Sequence, residues 1–137
     1  MGKLLPLLLA CVLTGCNDTG VKIRLSSLDD AVQNYANAMR WGRYEDAQTS
    51  HLTRDGQRPM IEDEDIADVR VTHFVIRQTD FNEDKTEAKV SGQYKYYLTS
   101  SGMVRTIPFE QDWWYKEEDK RWFVANGPPD FHQGRGR

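Results

Sequence analysis

From Ser26 onward the apolar positions fall first at helical spacing and then at every second residue. Leu28, Ala31, Val32, Tyr35, Ala38 and Met39 share one face of a helix, with Gln33, Asn34, Asn37 and Arg40 opposite. Ser27 and Asp30 have the spacing of a capping box, and Gly42 suits a stop. A shorter helix is expected from Tyr44 to about Leu52, then a turn at Asp55-Gly56. The acidic patch Ile61 to Ile66 reads as a brief helix or a loop. From Asp68 the period becomes two: Val69, Val71, His73 and Val75 on one face, Phe74 and Ile76 on the other. Ala88, Val90, Gly92, Tyr94, Tyr96 and Leu98 alternate with polar residues in a second strand, as in an antiparallel sheet with one wet face. A third strand runs Met103 to Tyr115, with Ile107, Phe109, Trp113 and Tyr115 on one side, and Pro108 marks an edge or a bulge. Trp122 to Ala125 forms a fourth, and Asn126-Gly127-Pro128-Pro129 ends the sheet. Polar hairpin turns separate the strands. Two helices followed by such a meander define an α+β fold, helices packed on one face of a curved antiparallel sheet.

Ahead of this pattern the chain opens Met1-Gly2-Lys3, continues through an uncharged stretch from Leu4 to Leu13, and reaches Leu13-Thr14-Gly15-Cys16. A positive start, a short apolar run and small residues have the anatomy of an export signal. The run is about half the ~20 residues that a spanning helix needs. Leu13-Thr14-Gly15-Cys16 resembles the lipobox of bacterial lipoproteins. That resemblance implies cleavage before Cys16 and acyl chains on its sulfur and amine, the membrane being the partner of those chains. Several chains together hold a protein on a bilayer almost permanently. Asn17 after the cysteine implies the periplasmic face of the outer membrane. The expected organisation is a signal peptide at 1–15, a lipidated cysteine and tether at 16–25, one domain at 26–126 and a mobile tail at 127–137.

Cysteine and charge counts fit this picture. Cys11 falls in the signal and Cys16 carries lipid, so no cysteine remains for a disulfide. Without Lys3 the mature chain has 17 basic residues against 21 acidic, a formal charge of −4. A nucleic-acid partner, which asks for a basic face, is not expected.

Ala31-Val32-Gln33-Asn34-Tyr35-Ala36-Asn37-Ala38-Met39-Arg40-Trp41-Gly42-Arg43-Tyr44-Glu45-Asp46-Ala47 resembles the opening of nuclear-transport-factor-2-like domains. Trp113-Trp114-Tyr115, a polar turn and Trp122-Phe123-Val124 are similar to their final hairpin. The acidic segment 61–68 is longer and more charged than that pattern. The resemblance covers roughly 26–126 and implies a cone, a sheet curled around the first helix with a pocket at its open end. Some members use that pocket for catalysis and many bind without chemistry, so the fold alone does not settle function.

Candidate chemistry is sparse. Of three histidines, only His73 is expected where a pocket could form, and a base there needs an orienting carboxylate, with Glu110 and Asp112 as candidates. Asp80 to Asp84 starts like a calcium loop but has Lys85 where the sharp turn requires glycine. No cysteine–histidine spacing suits zinc, and no cofactor is expected. Aromatic residues carry the remaining signal. Neighbouring rings at Trp113-Trp114 and Tyr96-Tyr97 must face opposite ways on a strand. Tyr97 and Trp114 are therefore a candidate interaction surface. Tyr35, Met39, His73, Tyr94 and Trp113 are the candidate ligand pocket. The expectation is a non-enzymatic envelope lipoprotein binding a protein partner or a second copy through its sheet. The alternatives are a small apolar-ligand pocket and, after it, an enzyme using His73.

Overall fold

The computed structural model describes Gly2 and residues 17–133. Three helices, α1 (Asn17–Arg40), α2 (Tyr44–Gln48) and α3 (Asp63–Ile66), precede four strands, β1 (Val69–Phe81), β2 (Glu87–Leu98), β3 (Val104–Lys116) and β4 (Arg121–Val124). The strands form one antiparallel sheet in the order β1-β2-β3-β4. The helices pack on one face of this curved sheet, the α+β arrangement that the sequence pattern predicts. Cys16, the expected lipid attachment, and the rest of the proposed signal lie outside the described residues.

The core is the seam between α1 and the inward face of the sheet. Leu28, Val32, Tyr35, Ala38 and Met39 from α1 meet Val90, Tyr94, Tyr96, Trp113, Trp122 and Val124 from the strands, all buried. One strand residue can only be glycine. At Gly92 a side chain would run into the Val75 carbonyl and the Phe109 ring.

Four local readings are corrected. Helix α1 starts at Asn17, so Ser27 lies inside it and not at a cap. The Ser27 hydroxyl donates to the Arg24 carbonyl at 3.0 Å, while the Trp122 indole N–H of β4 reaches that carbonyl at 3.0 Å and Ser27 Oγ at 3.1 Å. In β1 the register slips between Val71 and His73 and again between Ile76 and Gln78. An extra residue in one strand rotates everything after it by one face. Val69 and Val71 are therefore followed inward by Phe74 and Ile76, and His73 and Val75 point to solvent. The second helix ends at Gln48, and residues 50–52 instead run beside β4, with Leu52 N–H donating to Val124 O at 3.0 Å and Val124 N–H to Ser50 O at 2.9 Å. Of the expected mobile tail, residues 127–133 fold back with Phe131 buried in the core, and residues 134–137 lie outside the described residues. Pro108 sits opposite Gln93 in the half of β3 that β4 does not reach, a free edge as a residue without an N–H requires.

Candidate functional site

At one end of the seam the apolar core gives way to polar atoms. Tyr35 comes from the last turns of α1, His51 from the segment beside β4, and Gln111 from β3 between Phe109 and Trp113. They line a cavity of about 190 Å³ whose far wall is Pro108, Phe109 and residues 126–129. His51 is only 1 % exposed. Its Nδ1 lies 2.9 Å from the carbonyl oxygen of Asn126. A carbonyl can only accept, so Nδ1 carries the proton, and Nε2 is left to accept the Tyr35 hydroxyl at 3.0 Å. Burial lowers the His51 pKa to about 4, against which the Asn126 carbonyl works in the opposite direction. The imidazole is thus neutral at physiological pH.

Gln111 is also buried, and its Oε1 accepts the Trp113 indole N–H at 2.9 Å. Its side chain also lies beside the Tyr94 hydroxyl. The buried Tyr94 hydroxyl has polar neighbours in Tyr35 and Gln111, without ideal hydrogen-bond geometry to either. Burial raises the pKa of both Tyr35 and Tyr94, so both phenols keep their protons. The Tyr94 hydroxyl lies behind the cavity and is not among the groups that line it.

The rim is acidic. Glu110 lies at the cavity mouth, and Glu62 and Asp65 line a second cavity of about 290 Å³ on the other side of residues 127–129. Asn126 organises this end, because its Oδ1 accepts Asp112 N–H at 2.9 Å and its Nδ2 donates to Glu110 O at 2.6 Å.

Of the residues singled out from sequence, Tyr35, Met39, Tyr94 and Trp113 lie together in the interior, and Tyr35 reaches the cavity. His73 does not. The bulge at Thr72 puts it on the outer face, where its Nδ1 meets Thr72 Oγ1 at 3.1 Å. Its proposed carboxylate partners are engaged elsewhere, Glu110 with Lys89 at 3.2 Å and Asp112 with Arg54 at 3.0 Å. Tyr97 and Trp114 do not form one patch. They pair with Val104 and Glu87 at opposite ends of β2, about 33 Å apart at strand spacing. The Trp114 indole N–H is spent on Leu52 O at 2.7 Å, and its ring tilts against Phe123. Gln111 could have been found, since it has the inward parity of Phe109 and Trp113; His51 and Asn126 carry no such signal.

Among the described residues no helix is long and apolar enough to cross a membrane, and no group of His, Cys, Asp or Glu is placed to hold a metal. No family model matches the chain, and no curated protein matches it in sequence. Solved structures do resemble it. One is a candidate polyketide cyclase from Pseudomonas putida KT2440, with 15 % identity over 74 % of this chain and 92 % of that one, TM-score 0.42. Another is a candidate polyketide cyclase from Xanthomonas campestris pv. campestris, with 13 % identity over 82 % of this chain and 93 % of that one, TM-score 0.38. Both carry an enzyme's name, so the expectation that the chain is not an enzyme is withdrawn. At such TM-scores the likeness transfers neither activity nor substrate.

Proposed function

We propose that this chain is a pocket protein for a small neutral molecule bearing a carbonyl or hydroxyl oxygen, carried on the bacterial envelope by acyl chains on Cys16. The observation that supports the pocket is the Tyr35–His51 pair and the buried Gln111 brought together on the wall of one cavity. Gln111, on the cavity wall, offers an amide to a ligand oxygen in surroundings where a hydrogen bond is strong. An anion fits poorly. The cluster holds no positive charge, and the acidic residue on this cavity's wall, Glu110, already holds Lys89 at 3.2 Å. Drug-sized ligands occupy about 300–1,000 Å³, so the cavity beside Tyr35 suits a ligand's polar end and little more.

The contact between the Tyr35 hydroxyl and His51 Nε2 favours a second reading, in which the pair passes a proton to or from the bound oxygen. One experiment addresses both. Acetophenone and benzoate have the same shape and differ in charge. Titrated into isotope-labelled protein, acetophenone should move the Trp113 indole N–H resonance, and Gln111→Leu should abolish the shift. Benzoate should leave that resonance unmoved. No response to the ketone, or an equal response to the anion, overturns the pocket reading. Hydrogen–deuterium exchange at the ketone's α-carbon, the Tyr35 oxygen taking the α-proton as its own proton passes to His51 Nε2 and the reverse step returning a deuteron, would be lost in His51→Gln and would establish the proton-transfer reading.

A further inference from the structure

Residues 126–133 cross the open end of the cone as a strap, and its parts differ mechanically. Asn126 is fixed by bonds to Asp112, Glu110 and His51. Gly127 follows, with nothing within 4 Å of where a side chain would begin. Pro128 and Pro129 then make a stiff arm, because each proline locks its own backbone angle. At the arm's end Phe131 is 3 % exposed although it lies in no helix or strand. Its ring stands edge-on to Tyr94 and Tyr96 at centroid distances of 5.2 and 5.1 Å. Few polar contacts hold it there: Tyr96 Oη donates to Phe131 O at 2.7 Å, and His132 Nε2 meets Asp68 Oδ1 at 2.8 Å.

We infer that the Phe131 side chain occupies a ring-binding subsite, which an aromatic or cyclic apolar part of the ligand takes over when the strap lifts about Gly127. The inference rests on the pocket reading above and extends it. Gly127, Pro128 and Pro129 are walls of both cavities, so lifting them joins the polar floor at Tyr35 and Gln111 to the space beside Ile61 and Ile66. The same movement bares the ring of Tyr94 against which Phe131 stands. A ring in place of Phe131 keeps both edge-to-face contacts, and the joined cavities leave its oxygen a route to the amide of Gln111. The ligand class is then a neutral ring compound with one oxygen function. Its apparent affinity is reduced by the fraction of molecules with the strap closed.

The test compares acetophenone with toluene, which has the ring and no oxygen, on the wild-type chain, His132→Ala, Phe131→Ala and Gln111→Leu. The amides of His132 and Gln133 bond to Asp130 and report the strap by hydrogen exchange. Saturating acetophenone should speed exchange at both by about tenfold or more, and His132→Ala, which frees the latch without making a cavity, should tighten both ligands about tenfold. Phe131→Ala should bind toluene without any change in strap exchange. Unchanged protection at His132 and Gln133 with acetophenone bound, together with unchanged affinity in His132→Ala, overturns the inference and leaves the polar floor standing. If Gln111→Leu binds acetophenone as tightly as the wild type while the strap still opens, the polar-floor reading falls and the ring subsite stands. Absence of binding by either ligand to every variant overturns both.

Discussion

His51 shows how one side chain sets conditions for the whole pocket. Neutral, it accepts from Tyr35 and donates to Asn126, and both ring nitrogens are satisfied. Protonated, it would present an N–H to the Tyr35 hydroxyl, whose own hydrogen must then turn away, and place a charge where no carboxylate balances it. The folded chain therefore resists protonation until about pH 4, whereas an unfolded histidine takes its proton near 6.5. Between those values the unfolded state binds more protons, so stability is full above pH 6.5 and falls as the pH drops toward 4. The loss from this group is about 3 kcal/mol, from 1.36 kcal/mol per pKa unit. Urea unfolding at pH 7.0 and 4.5 measures it, with His51→Gln as reference. The variant should be less stable at pH 7 and should lose much less than the wild type on acidification. Equal losses in both would place the acid sensitivity elsewhere. Nothing near His51 in the chain announces this role, because its partners come from residues 35 and 126 and meet only in the fold.

At the scale of elements, strand and helix types were legible from local pattern, and their edges and facing were not. Periodicity places β2 almost residue for residue, since Ala88 through Leu98 alternate without interruption. It fails in β1 because a bulge is one residue of irregularity with no composition of its own, and Thr72 looks like any strand threonine. This moves His73 out of the pocket. Ser27 and Asp30 satisfied the rule for a helix start, but that rule cannot see Trp122, which arrives from the other end of the chain to bond the Arg24 carbonyl and Ser27. This tie joins α1 to β4, and its parts are unequal. The indole N–H keeps an acceptor in Arg24 O when Ser27 loses its hydroxyl, so Ser27→Ala should cost under about 0.5 kcal/mol. Trp122→Phe removes the shared donor and part of a fully buried ring, and should cost about 2–3 kcal/mol. Chemical denaturation of the two variants separates them. If Ser27→Ala proves the more damaging, the helix depends on the serine itself and not on the indole bridge. The C-terminal strap was unreadable for the same reason. Its glycine and prolines announce the end of a sheet, and only the cone tells where Phe131 goes.

For the whole molecule the distance between anchor and pocket governs what the lipid can do. Helix α1 begins at Asn17, the residue after the proposed lipidated cysteine. Tyr35 lies 18 residues further along the same helix, about 27 Å at 1.5 Å per residue. The pocket thus belongs to the half of the domain remote from Asn17, and from any anchor on the residue before it. A ligand would reach it from water, and acylation would decide where the protein resides without touching its affinity. Cys16→Ser tests both halves of that statement. Intact-mass measurement of protein expressed with its full N-terminus should show acyl chains and loss of residues 1–15 in the wild type and neither in the variant. The variant should leave the detergent-extracted membrane fraction, while its acetophenone affinity, measured on the isolated chain, stays within about twofold of the lipidated form, as expected for sites with no shared partners. Wild-type protein that keeps its first fifteen residues would remove the anchor. A large change of affinity on losing the acyl chains would mean that lipid and pocket communicate along α1.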